Sequence, residues 1–183
     1  MGQTTILLVR HGETDWNLQR RVQGHADRPL NETGIAQARA LAEQLADEPI
    51  DAVYSSDLAR AHDTARLVAD AHGLPVETLP ELRERDFGTW EGLTDDEVYE
   101  RLPEARTSSW GDAETTDELE ARILTTIRRI ASHHPGERVL VVTHGGPLRM
   151  MLRHCLADGN DRQIPNCHVI RLAFRDGGFV GLD

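Results

Sequence analysis

His11 and His144 each end a short apolar run and each precede a glycine, in Ile6-Leu7-Leu8-Val9-Arg10-His11-Gly12 and Val139-Leu140-Val141-Val142-Thr143-His144-Gly145. Such runs read as buried strands feeding loops, which brings both imidazoles to the carboxyl edge of one sheet, where open α/β folds bind ligands. Arg10 precedes the first histidine, and Arg60 follows Ser55-Ser56-Asp57-Leu58-Ala59 at the opening of an expected helix. Two guanidiniums and two imidazoles at one edge suit a phosphoryl group: guanidinium forks match phosphate oxygens in pairs, and imidazoles add donors without a metal. A neutral imidazole can also attack phosphorus, and neighbouring cations lower its pKa so that it stays unprotonated near neutral pH. His11 is therefore the expected nucleophile.

Attack on a phosphate ester needs a partner that protonates the departing alkoxide and later takes a proton from water, a role suited to a carboxyl group. Glu84, in the charged and aromatic stretch Leu82-Arg83-Glu84-Arg85-Asp86-Phe87-Gly88-Thr89-Trp90-Glu91-Gly92, is the expected donor, with Glu13, Asp86 and Glu91 as alternatives.

The elements that must hold these groups follow from pattern. Thr4 to Arg10 reads as the first strand, and Asn31 as the N-cap of a helix with Ile35, Ala38, Leu41 and Leu45 on one face. Ala52 to Ser55 reads as a second strand. A helix face from Asp57 through Ala61, Ala65 and Val68 stops at Gly73, an expected C-cap, and Pro75 to Leu79 is a third strand. Pro80 to Gly92 is expected to be an ordered functional loop, followed by a short helix opened by a Thr94/Glu97 capping box and ended by Pro103. The segment Glu104 to Thr115 is expected to form a flap. Thr116 to Ala131 aligns Leu119, Ile123, Ile127 and Ile130 as a helix, Arg138 to Thr143 is a strand, and Pro147 sits in the first turn of a helix reaching Leu156. Val169 to Phe174 and Phe179 to Leu182 flank Asp176-Gly177-Gly178 as a terminal hairpin. The alternation argues for a layered α/β fold with a mostly parallel sheet and an antiparallel edge.

Composition narrows the functions. The 183 residues suit one domain, residues 1–183, and a formal net charge of −11 makes any phosphate site a local basic island. Nucleic acid and membrane surfaces are not expected partners. All 20 basic residues are arginine, which excludes a P-loop and Schiff-base chemistry, both of which need lysine. Cys155 and Cys167 read as free thiols, and His133-His134 as solvated surface lacking a third metal ligand. The N-terminus has no secretory pattern and no apolar run approaches a bilayer span, so a cytoplasmic location is expected.

The residues resemble the histidine phosphatase superfamily, the phosphoglycerate-mutase-like proteins, over essentially the whole chain. The resemblance rests on Arg10-His11-Gly12-Glu13-Thr14, Asn17, the run from Val22 to Gly34, Ser55-Ser56-Asp57-Leu58-Ala59-Arg60, the Glu84 block and Thr143-His144-Gly145-Gly146, all in family order. It implies a three-layer α/β/α sandwich with a mixed, mostly parallel six-stranded sheet, and a phosphohistidine on His11. It implies that Arg10, Arg60 and His144 hold the phosphoryl group with Asn17 as a further phosphate ligand, that Glu84 moves the proton, that Gln23 and Gly24 line the substrate side, and that Gly145 offers a backbone N–H beside His144. No metal or other cofactor is implied. Glycolytic mutases of this family carry a longer, lysine-bearing insertion between the glutamate and second-histidine blocks, so the compact, lysine-free segment here resembles the phosphatase branch. The expected substrate is a small phosphorylated metabolite; a cofactor-dependent phosphoglycerate mutase and a phosphoprotein phosphatase are the alternatives, and monomer or homodimer is left open. Where relatives often show Gly-Gly-Glu-Ser, this chain has Asp112-Ala113-Glu114-Thr115, so whether Glu114 or Trp110 reaches the pocket is an open point.

Overall fold

The computed structural model describes residues 2–101, 112–155 and 164–182. The first apolar run forms β1 (Thr4–Arg10), with Ile6, Leu7, Leu8 and Val9 all fully buried. A strand covered on both faces has to lie inside a sheet with helices above and below it. A short helix that the apolar pattern does not announce follows as α1 (Asp15–Leu18), capped by Thr14. Next come α2 (Glu32–Gln44), β2 (Ala52–Ser55), α3 (Ala59–His72) and β3 (Val76–Thr78). Asn31 caps α2 as expected, its Oδ1 accepting the Gly34 N–H at 2.8 Å, and α3 ends on Gly73 in the left-handed conformation at φ +65°.

Pro80 to Gly92 is irregular apart from two single 3-10 turns at Pro80–Leu82 and Gly88–Trp90. The chain continues as α4 (Asp95–Arg101), α5 (Thr116–His133), β4 (Arg138–Thr143), α6 (Gly145–Cys155), β5 (Val169–Arg175) and β6 (Gly178–Gly181). Pro103, Trp110, Leu156 and most of the expected flap lie outside the described residues.

The six strands form one sheet in the order β3-β2-β4-β1-β5-β6. The first four are parallel and the last two antiparallel to their neighbours. Strand alternation sends Ile6, Leu8, Val139 and Val141 into a core with α5 and α6, while Leu7, Val9, Leu140 and Val142 pack on α2 and α3. The result is the expected three-layer α/β/α sandwich. Its terminal hairpin turns through Asp176 at φ +52° and Gly177 at φ +78°, the backbone that a two-residue turn between twisted strands requires.

Two local expectations need correction. Helix α3 starts at Ala59, not Asp57, because the Leu58 backbone is extended at φ −69° and ψ 135°; the Asp57 carboxylate accepts the Nε and Nη2 hydrogens of Arg83 at 2.7 and 2.6 Å. His134 is not solvated surface: it bonds the Tyr54 hydroxyl at 3.0 Å and Glu137 at 2.6 Å, closing the end of α5. Both cysteines are free, and burial pushes their thiols up to about 11 at Cys155 and about 12 at Cys167. Among the described residues no helix is long and apolar enough to cross a membrane.

Candidate active site

Register brings the two histidines together. Arg10 of β1 pairs with Thr143 of β4, and the His11 N–H donates to the Thr143 carbonyl at 3.0 Å. The rings of His11 and His144 then lie 5.1 Å apart, edge to face. His11 is 3% exposed and His144 fully buried. The Nδ1–H of His11 donates to its neighbour's carbonyl, Gly12 O, at 2.6 Å, which leaves Nε2 as the nitrogen with the free lone pair. Burial, then the charges of Arg60 and Arg10, hold the His11 pKa well below the ordinary imidazole value. His144 is held down by burial first and Arg60 next. The expected cation effect is present, but desolvation exceeds it.

Arg60 comes from the first turn of α3 and is wholly buried. Its Nη1 and Nη2 donate to the carbonyls of Ala26 and Gly24, each at 2.8 Å. Desolvation lowers it to about 10, so it remains a cation at neutral pH. Gly24 serves it in two ways. Its φ of +51° aims the carbonyl at Arg60, and a β-carbon there would lie 2.0 Å from Glu91 Oε1. Arg10 donates through Nη1 to the Ile164 carbonyl. The Nε atoms of both arginines and both ring nitrogens of His144 are buried without a hydrogen-bond partner among the described residues. Buried polar atoms are rarely left so, and an anion at this point would accept from the N–H donors among them.

A cavity of about 140 Å³ collects these groups, and its wall includes Arg10, His11, Asn17, Gln23, Gly24, Arg60, Glu84 and Gly145. Every residue predicted for the site lines it except His144, which is fully buried with its ring edge to face against that of His11. Asn17 is the third residue of α1 and accepts the Thr14 N–H through Oδ1 at 3.2 Å. Gln23 accepts from the Thr14 hydroxyl at 2.9 Å. Gly145 opens α6.

Glu84 is set at the same helix end. Its Oε2 accepts the Gly146 N–H at 2.9 Å and its Oε1 the Arg85 N–H at 2.8 Å. A β-carbon on Gly146 would lie 2.1 Å from Glu84 Oε1, so the close approach requires glycine. The alternative carboxylates are engaged elsewhere. Glu91 clamps the backbone of His25 and Ala26 at 2.6 and 2.8 Å, Glu13 accepts from Asn31 at 3.0 Å, and Asp86 accepts the Gly88 N–H at 2.8 Å. Of the four, Glu84 alone lines the cavity.

Several supporting residues escaped sequence reasoning. Thr64 accepts the Gly12 N–H at 3.0 Å and donates to the Arg60 carbonyl at 2.7 Å, joining the nucleophile loop to the arginine helix. Arg122 donates to the carbonyls of Glu81, Arg83 and Glu84 at 2.8, 3.0 and 3.2 Å while pairing with Glu114. Glu114 is thus a brace for the Glu84 segment and does not line the cavity. Arg21 and Phe87 also line the wall. The Arg20-Arg21 pair beside the Val22-Gln23-Gly24 run was the available signal for Arg21; nothing near Arg122 or Thr64 in sequence points to the site.

Fold and pocket together define the phosphoglycerate-mutase-like class. The profile of the histidine phosphatase superfamily, branch 1, matches residues 6–182, and the chain belongs to that superfamily. A metal-independent phosphoserine phosphatase from Arabidopsis thaliana is 42% identical, over 97% of this chain and 79% of that protein. The solved phosphoglycerate mutase of Bacillus anthracis str. Sterne is 28% identical with a TM-score of 0.90, over 98% of this chain and 92% of the other. A mutant phosphoserine phosphatase of Entamoeba histolytica, solved with phosphoserine, has a TM-score of 0.85 at 27% identity, over 98% and 95% of the two chains.

Proposed function

We propose that this chain is a metal-independent phosphomonoester hydrolase for small phosphorylated metabolites, working through a phosphohistidine on His11. The observation that carries this is one pocket holding a buried imidazole with a free Nε2, two arginines and a carboxylate. Nε2 of His11 attacks phosphorus and the bond to the ester oxygen breaks. Glu84 gives its proton to that oxygen, and the alcohol leaves. The Glu84 carboxylate then takes a proton from water, the hydroxyl adds to phosphorus, and the N–P bond breaks to return neutral His11 and inorganic phosphate. Arg10, Arg60 and His144 hold the equatorial oxygens in both steps, and Asn17, Gln23, Gly24 and Gly145 complete the wall.

We infer a single domain acting in the cytoplasm. The charge of −11 and the buried site favour small phosphates over phosphoproteins and nucleic acids. The test is phosphate release from small monoesters in excess chelator by the wild type and His11→Ala, with acid-labile phosphoenzyme trapped by rapid quench. Activity and trapped phosphate that both vanish in the variant support the reading; equal activity in both proteins overturns it.

Likeness to a phosphoglycerate mutase of Bacillus anthracis supplies the second reading, in which the phosphoryl group returns to a bound phosphoglycerate instead of water. Interconversion of 3- and 2-phosphoglycerate that outruns phosphate release, with 2,3-bisphosphoglycerate present, would select it.

A further inference from the structure

A second cavity, of about 470 Å³, opens beside the phosphoryl pocket, and Glu84 and Phe87 line both. Leu119 and Met150 form part of its apolar wall, and Arg85, Arg149 and Arg153 its cationic side. Arg149 and Arg153 are one turn apart on α6, so both side chains serve one face. Three arginines around one hollow run against the prevailing charge of a chain at −11. Glu120, the other carboxylate on this wall, lies 3.8 Å from His154 Nδ1.

Position gives the cavity its meaning. In-line displacement puts the leaving oxygen opposite the attacking nitrogen, and the proton donor must touch that oxygen. The alcohol beyond it therefore runs past Glu84, into the hollow that Glu84 shares. A methyl group built on Gly145 would lie 3.5 Å from Arg149 Nη1 and 3.6 Å from Arg10 Nε, which sets Arg149 at the boundary of the two cavities. Arg149 makes no hydrogen bond or ion pair among the described residues. Arg85 is fixed, donating to the Glu114 carbonyl at 2.6 Å with its guanidinium 5.5 Å from the Phe87 ring centre.

We propose, resting on the phosphatase reading above, that this cavity is the leaving-group subsite and that Arg149, flanked by Arg153 and Arg85, selects esters whose alcohol carries a second anionic group. A guanidinium pairs with carboxylate or phosphate oxygens through two donors at once, whereas a neutral hydroxyl offers it no charge.

The test compares kcat/KM for substrates matched except in that group: 3-phosphoglycerate against glycerol 3-phosphate for a carboxylate, and fructose 1,6-bisphosphate against fructose 6-phosphate for a second phosphate. The wild type should favour the anionic member of at least one pair by about tenfold or more, and Arg149→Met should bring that ratio about tenfold closer to one. Arg149→Met/Arg153→Met should reduce it further, and Arg149→Lys should keep part of it. Misfolded protein lowers both members equally and leaves the ratio intact. The pair that responds identifies the anion. A wild type indifferent to charge in both pairs, or a preference that survives the double variant, overturns the subsite while the phosphatase reading stands. If no ester is hydrolysed in a His11-dependent way, p-nitrophenyl phosphate included, the phosphatase reading fails and the subsite falls with it.

Discussion

His11 and Glu84 face the same cavity but are held by different means. The sheet holds His11: β1 and β4 are paired in parallel up to Arg10 and Thr143, Ile6 to Val9 and Val139 to Thr143 are all buried, and His11 follows one residue past the ladder. Glu84 lies in a segment outside the sheet, tied down by scattered polar bonds. Arg122 reaches three of its carbonyls, Thr143 donates to the Leu82 carbonyl at 2.6 Å, and His25 Nε2 donates to the Glu84 carbonyl at 3.0 Å. His11 rests mainly on the packed core, whereas Glu84 rests mainly on the side chains that bond its backbone. One chain thus combines a position set by cooperative packing with a position set by individual hydrogen bonds.

The largest effect is expected on the sheet side. If His11 is the nucleophile proposed above, His11→Ala should lower kcat by on the order of 10⁴-fold or more for every ester, with no phosphoenzyme on rapid quench. Residual turnover near wild type would put the nucleophile elsewhere. Glu84→Gln should lower kcat by about 10²- to 10⁴-fold on alkyl phosphates. It should cost much less on p-nitrophenyl phosphate, whose leaving group departs without a proton, and an equal loss on both esters would sink Glu84 as the proton donor.

Arg122→Met tests the brace. Loosening the carbonyls around Glu84 should lower kcat on alkyl phosphates by about ten- to hundredfold. The same change made on top of Glu84→Gln should have little further effect, since the group that Arg122 positions is already disabled. Full additivity of the two losses would mean that Arg122 acts only on the fold.

The smallest expected effect is on stability against pH. The folded pKa values of His11 and His144 lie well below the ordinary value, chiefly through burial. The unfolded chain therefore binds protons below about pH 6.5 that the folded chain refuses. Stability is full above that pH. As pH falls it drops by up to ~1.4 kcal/mol per pH unit for each histidine, until the folded pKa is reached. Urea melts between pH 7.5 and 5 should show a shallower decline for His11→Asn than for the wild type. Parallel curves would mean that the His11 imidazole is not kept neutral by the fold.

Much of this is legible in the amino-acid sequence. Alternating apolar runs announced the strands, Asn31 and Gly73 their helix ends, and the residues beside His11, Arg60, Glu84 and His144 marked the chemistry. Those are local signals, because a strand end, a cap or a glycine beside a histidine is written within a few positions. The apolar pattern begins α3 two residues early, at Asp57, because it does not register that the Leu58 backbone is extended. Arg122 has no local signal, since its bonds to the Glu84 segment cross about 40 positions. His134 looked solvated until Tyr54, on a neighbouring strand, supplied its partner.

The order of residues alone was enough to choose the layered α/β fold and the class of reaction, and to single out His11 as the nucleophile to propose, because hydrophobic period and short-range motif act between near neighbours. Tertiary structure decided which carboxylate meets the pocket, which arginines brace it and which face a second cavity. Those outcomes depend on β4 lying between β2 and β1, with α5 and α6 against one face of the sheet. Such contacts join segments far apart in the chain, and their distances exist only once the core has closed.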